Sequence, residues 1–199
     1  MSHARAIATG DVTLLPGRRD EDWRWTDLRG QIRTAPAISP VAEASGAGPF
    51  AGEQVVIVNG RPATTEISIP AGQTRTLVMR FVSQADHTAH HAAVRISVAT
   101  GATLTLLESY EGAGEGYIAD AVLDIRLGEG ATVERVVLAA DTAGAISVST
   151  TDVALSAKAS FSQTVLTDGA RRQRLETRVR HPGQGASVRL DGGIRMGPR

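Results

Sequence analysis

The sequence predicts an all-β fold, a two-sheet β-solenoid of about 28 residues per turn with a short helical segment near its N-terminus. Three observations lead there: a core stock of small and β-branched side chains, a series of short apolar runs separated by turn residues, and a marker that returns at a nearly fixed interval.

The 199 residues are 42% hydrophobic but only 4% aromatic, so the core must be built from Val, Ile, Leu and Ala, and small branched side chains favour strands. A chain of this length removes roughly 70% of its unfolded surface from water, enough for one continuous core. Twenty-one basic residues balance twenty-one acidic ones, leaving no overall field to draw the chain to nucleic acid or an anionic membrane. The opening "MSHARAIATGDVTLLPG" lacks the basic-then-apolar order of a secretory signal, and no later run is long enough to cross a bilayer, so a cytoplasmic address is expected. Without cysteine the chain offers no disulfide, no thiolate metal site and no thiolate bond to an iron–sulfur cluster.

Residues 1–32 form an N-terminal segment that holds both tryptophans in "LPGRRDEDWRWTDLRG". Asp20 and Glu21 suit the first turn of a short helix. Trp23, Trp25 and Leu28 are costly to leave in water together, so the segment is expected to pin them onto the body. Residues 33–53, "RTAPAISPVAEASGAGPFAGE", are rich in Pro, Ala, Gly and Ser without periodicity and read as a linker. From residue 54 to 199 the texture becomes strand-like: "VVIVNG", "TLVMRFV", "VRISV", "TLTLLESY", "AVLDIRL", "TVERVVLAA", "ISVSTTDVAL", "FSQTVLT", "LETRVR" and "SVRLDG".

The marker is "GQTR" at 72, "GATL" at 101, "GATV" at 130, "KASF" at 158 and "GASV" at 185, with successive spacings of 29, 29, 28 and 27. Each interval contains two strand-like runs, the pattern of a coil that sends one strand per turn to each of two sheets. Stacked turns pair one another's backbone groups, and the inward side chains are expected to form a continuous apolar column. Alternation agrees: Val94, Ile96 and Val98 point one way and His91, Arg95 and Ser97 the other, while Leu175, Thr177 and Val179 alternate with Arg174, Glu176, Arg178 and Arg180. A β-sandwich of similar strand count is the competing architecture, against which the fixed interval argues.

Two clusters invite a functional reading. His87, His90 and His91 lie within "QADHTAHHAAV", where imidazoles at helical spacing would share a metal ion. They fall between two strands, alternation separates His90 from His91, and no glutamate intervenes as in the zinc-protease motif. A solvated turn is expected, with a metal site the alternative. Arg171, Arg172, Arg174, Arg178 and Arg180 could grip phosphates, yet no aromatic interleaves them and Glu176 sits among them. A solvated strand face that discourages edge pairing is expected. "GAGEG" at 112–116 leads into no helix with a following lysine, and no GxSxG elbow occurs, so no catalytic and no cofactor-binding residues are assigned.

The ordered residues Pro16, Glu21, Trp23, Arg24, Trp25 and Thr26 resemble the N-terminal signature of the SufB/SufD family, in which a proline and a basic residue precede E-x-W-[KR]-[YW]-T-x-[LI]. Trp25 stands where tyrosine is more usual. The resemblance continues through "VVIVNGR" at 55–61, "HHAAVRISVATGATLTLLESYEG" at 90–112, "LDIRLGEGATVERV" at 123–136 and "DGARRQRLETRVRHPGQGASVRLDGG" at 168–193. It implies a right-handed parallel β-helix and a non-enzymatic, SufD-like scaffold of the SUF iron–sulfur cluster assembly system. Such scaffolds pair with SufB through their β-helices, bind the ATPase SufC, and help assemble a nascent cluster whose principal thiolates SufB supplies.

Family members run to about twice this length, so the resemblance implies an N-terminal portion. The SufB contact, the helices that hold SufC and the histidine implicated in cluster assembly have no matching positions in this sequence. A solenoid open at one end leaves backbone groups unpaired, which predicts end-to-end self-association. A stand-alone β-solenoid, acting as a binding module or as an enzyme with a groove along the coil, is the other class of function. Carboxylates stacked at one point of successive turns would mark such an enzyme, and the five markers align none.

Overall fold

The marker residues turn out to be the corners of the coil. In a computed structural model, which describes residues 2–44, 46–180 and 183–195, Gly72, Gly101, Gly130 and Gly185 have φ between +65° and +73°, and Lys158 has +58°. That left-handed conformation is cheap for glycine and reverses the chain within a few residues. The corners also stack: Gly72 N–H donates to Thr100 O, Gly101 N–H to Glu129 O, Gly130 N–H to Ala157 O and Lys158 N–H to Gln184 O.

The strands between corners form two sheets. The first contains β1 (Ala37–Ile38), β3 (Thr64–Ile69), β5 (Thr88–Val98), β7 (Ile118–Leu127), β9 (Ile146–Leu155) and β11 (Arg172–Arg180). The second contains β2 (Gln54–Val58), β4 (Thr74–Ser83), β6 (Thr103–Gly112), β8 (Thr132–Asp141), β10 (Ser160–Gly169) and β12 (Ser187–Ile194). Every pairing between these strands is parallel, which excludes the antiparallel sandwich. The first residues after the corners, Thr74, Thr103, Thr132, Ser160 and Ser187, lie side by side in the second sheet, so the marker spacing is the register itself.

Alternation places the core between the sheets as expected. Val94, Ile96, Leu104, Leu106, Leu123 and Ile125 are buried there, whereas Arg95 and Arg126 stay outside. Each such aliphatic side chain contributes about 1.5–3 kcal/mol by leaving water. The column is not wholly apolar, a correction to the sequence reading. Glu108 and Arg135 point into it and are fully enclosed.

The N-terminal segment covers the outer face of the first sheet. It comprises α1 (Ser2–Thr9), two 3-10 turns at Val12–Leu14 and Glu21–Trp23, and α2 (Leu28–Gln31). Asp11 and Asp27 cap Val12–Leu14 and α2 by accepting from Thr13 N–H and Gly30 N–H. Ala6, Leu15, Trp23, Leu28 and Ile32 pack on Ile146 and Val148 of β9, a second apolar cluster outside the coil. Within 33–53, Ser39 N–H donates to Ala89 O beside β5, and Glu53 O accepts from Val78 N–H of β4, so this stretch passes from one sheet to the other.

Candidate functional site

The two tryptophans have opposite fates. Trp23 is buried, with the His3 ring edge-on at 4.5 Å and the Arg174 guanidinium 4.2 Å from its ring centre. Trp25 is 88% exposed, beneath Arg24 at 5.1 Å. The expectation that the segment would pin both indoles is therefore corrected: Trp23 and Leu28 are sequestered, and one residue after Arg24 the chain turns the second indole outward.

What holds this strap is the arginine strand. Arg174 Nη1 donates to Thr26 Oγ1 at 3.3 Å, Arg171 Nη2 donates to Gln31 Oε1 at 3.2 Å, and Arg178 lies 3.9 Å from the Asp22 carboxylate. Two stretches far apart in sequence thus form one surface. Arg171, Arg172, Arg178 and Arg180 remain exposed as the sequence suggested, but Arg174 is half-buried beneath Trp23. A cation over an indole at such a site contributes about 0.5–2 kcal/mol. Two of these guanidiniums are already engaged, because Glu176 accepts from both Arg174 and Arg178, each at 2.6 Å.

The histidines diverge. His87 occupies a corner with φ +51°, while His90 and His91 belong to β5 rather than to a solvated turn. His90 faces inward, 3.0 Å from Ser39 Oγ and 3.2 Å from Ser83 Oγ. Burial pushes its pKa down to about 4, against the pull of Asp120. His91 faces outward and donates through Nδ1 to Asp120 Oδ2 at 2.8 Å. Asp120 Oδ1 lies 3.5 Å from His3 Nδ1. Burial alone would raise the Asp120 carboxyl, but the two imidazoles outweigh it and hold it below the ordinary range. Among the described residues no group of three or more His, Cys, Asp or Glu side chains is placed to hold a metal ion.

Sequence reasoning missed the Asp120 bridge, because His3 carries no pattern of its own. It also passed over a legible signal: in "TLTLLESY" alternation puts Glu108 on the same face as Leu104 and Leu106. Inside the coil Glu108 accepts two bonds from Arg135, at 2.9 and 2.7 Å, and Arg135 Nη1 donates to Gln163 Oε1 at 2.6 Å. Gln163 Nε2 donates onward to Thr177 Oγ1 at 3.1 Å, joining the second sheet to the first.

Among the described residues β11 pairs only with β9 and β12 only with β10. Between them lies a depression of about 620 Å³ whose lining includes Thr26, Val165, Gln173, Leu175 and Ile194.

The family model for the SUF system FeS cluster assembly SufBD core domain matches residues 81–197, more than half of the chain. The chain belongs to the SufBD core family. The matched span runs from the end of β4 past β12, and so contains the Glu108–Arg135 pair, the His91–Asp120 contact and the arginine strand. Pro16, Glu21, Trp23, Arg24, Trp25 and Thr26 precede it, yet Trp23 and Thr26 rest on Arg174, which lies within the SufBD core. No curated protein and no solved structure matches the chain. Among the described residues no helix is long and apolar enough to cross a membrane.

Proposed function

We propose that this chain is a SufD-like, non-catalytic scaffold subunit that acts in the cytoplasm with a SufB-like scaffold and a SufC-like ATPase to assemble iron–sulfur clusters. The observation that carries the reading is membership of the SufBD core family together with the two-sheet parallel coil on which the matched span is built. Its 199 residues contain no cysteine, so the thiolates that receive the nascent cluster come from the SufB-like partner, and this chain contributes shape and docking surface.

The test is capture of the endogenous protein from its source cells, with intact-mass measurement of everything that accompanies it. Recovery with SufB-like and SufC-like subunits is the expected result. Recovery without either, in extracts where those two proteins are found bound to each other, overturns the reading.

A further inference from the structure

We propose that the groove on either side of Arg33, between the N-terminal strap and the corners of the coil, docks an acidic, extended segment of a partner protein. This deepens the scaffold reading and rests on it for the existence of a partner. The chemistry of that partner comes from the groove.

Two depressions meet at Ile32 and Arg33. The first, about 400 Å³, lies where strap residues 31–34 face His87, Gly116, Gly144 and Arg171, the corner residues that lead into β5, β7, β9 and β11. The second, about 530 Å³, lies within the strap and is lined by Arg18, Arg19 and Arg29 as well as Arg33. The arginines are held on an ordered backbone: Arg29 Nε donates to Leu15 O at 2.8 Å, and Leu28 and Ile32 are buried on the sheet beneath. An array fixed in this way loses little freedom when a ligand arrives.

Arg18, Arg19, Arg29, Arg33 and Arg171 thus line one groove with Asp20, Asp27 and Glu115. Two of those carboxylates are engaged. Asp27 accepts from Gly30 N–H and pairs with Arg18 at 3.0 Å, and Asp20 accepts from Gly17 N–H at 2.7 Å. Among the described residues no carboxylate stands within ion-pair distance of Arg19, Arg29, Arg33 or Arg171. The chain as a whole is neutral, so this is a local excess of guanidinium groups.

Guanidinium forks match carboxylates, and the form of the groove chooses what carries them. All five arginines are exposed, so no enclosed pocket strips water from a single small anion. No Trp, Tyr or Phe is among the described lining residues to stack a base, and Asp20, Asp27 and Glu115 interrupt the cationic track that a phosphate backbone would follow. A peptide spaces its carboxylates, and Ile118, half-buried in the first depression, offers contact for an apolar side chain between them.

The test uses the full chain and two blocked peptides of equal length, one alternating Glu with Leu, the other Lys with Leu. Anisotropy of the labelled peptide follows binding, and backbone amide shifts locate it. The Glu peptide is expected to bind roughly tenfold or more tightly than the Lys peptide, to weaken with added salt, and to shift amides at 31–34 and at Gly116 and Gly144. The Arg19→Glu, Arg33→Glu double variant, changed only at exposed positions, should weaken the Glu peptide by at least roughly tenfold while melting like the parent protein. The same two-charge reversal at Arg75 and Arg126, which line neither depression, should leave binding unchanged.

Equal binding of both peptides, binding of neither, shifts confined to other surfaces, or equal losses in the two double variants overturns the proposal. So does an oligonucleotide that displaces the Glu peptide and binds these residues more tightly. Failure of the scaffold reading looks different: the Glu peptide still selects the groove, but no SufB-like or SufC-like protein is captured from cells.

Discussion

The Arg174 guanidinium sits 4.2 Å from the centre of the Trp23 indole and ties the N-terminal strap to the last strand of the first sheet. Trp23 also fills the apolar cluster built on Ile146 and Val148, so its removal leaves a cavity that the stiff sheet beneath cannot close. Trp23→Ala should cost about 3–5 kcal/mol and lower the melting temperature by roughly 10 °C. Trp25→Ala removes an exposed indole and should shift stability by no more than about 0.5 kcal/mol. Thermal melts of the two variants side by side check the assignment; equal losses would mean that Trp25 is as well packed as Trp23.

The enclosed pair Glu108–Arg135 calls for a different experiment. Burial works against the Arg135 charge, and the bidentate contact with Glu108 outweighs it, so the guanidinium stays ionised inside the coil. Arg135→Met strands the Glu108 carboxylate and should cost about 3–5 kcal/mol. Adding Glu108→Met removes the stranded charge and should recover most of that loss. Urea titrations of both singles and the double complete the cycle, and a double variant less stable than either single would show that the pair itself holds the coil together.

Lys158 occupies the corner conformation that glycine takes at the other four markers. A side chain there costs about 1–2 kcal/mol, while glycine gives back part of that through the freedom it adds to the unfolded chain. Its exposed pair with Glu129, at 3.4 Å, contributes little to offset this. Lys158→Gly is therefore expected to stabilise the protein by up to about 1 kcal/mol. Gly130→Ala, at a corner where a new Cβ meets nothing within 4 Å, should destabilise it by about 1–2 kcal/mol through backbone strain alone. Chemical denaturation of the two variants decides whether the marker is conformational or merely small.

Much of this was legible beforehand because corners and alternation are local. Spacings of 29, 29, 28 and 27 were already the strand register, and the inward set Val94, Ile96 and Val98 followed from a period of two. The histidines and tryptophans were harder, since their fates depend on what lies across space. Asp120 meets His91 from the preceding turn and His3 from a helix at the chain's start, and neither pairing has a sequence signature. Trp23 and Trp25 differ because Arg174 lies under one and not the other. The lumenal Glu108 was readable by alternation but was hidden by the assumption that an inward column is apolar.

His90 makes the coil acid-sensitive in a definite window. Its imidazole is enclosed by Ser39 and Ser83, and burial lowers its pKa from 6.5 to about 4 in the folded protein. Between those values the unfolded chain binds a proton that the folded chain refuses, so stability falls as pH drops through that interval and is fully present above it. Two and a half pKa units correspond to about 3 kcal/mol. Asp120 acts in the same direction at lower pH: its carboxyl is held below its ordinary 3.8, so the stability it provides is present above that value and lost as the folded form is protonated. Urea unfolding at neutral pH and near pH 4.5 should therefore differ mainly through His90. His90→Asn keeps a polar side chain among the same hydroxyls without a titrating group, and should flatten the pH dependence between 6.5 and 4. Persistence of the full slope in that variant would show that His90 is not the source of the acid sensitivity.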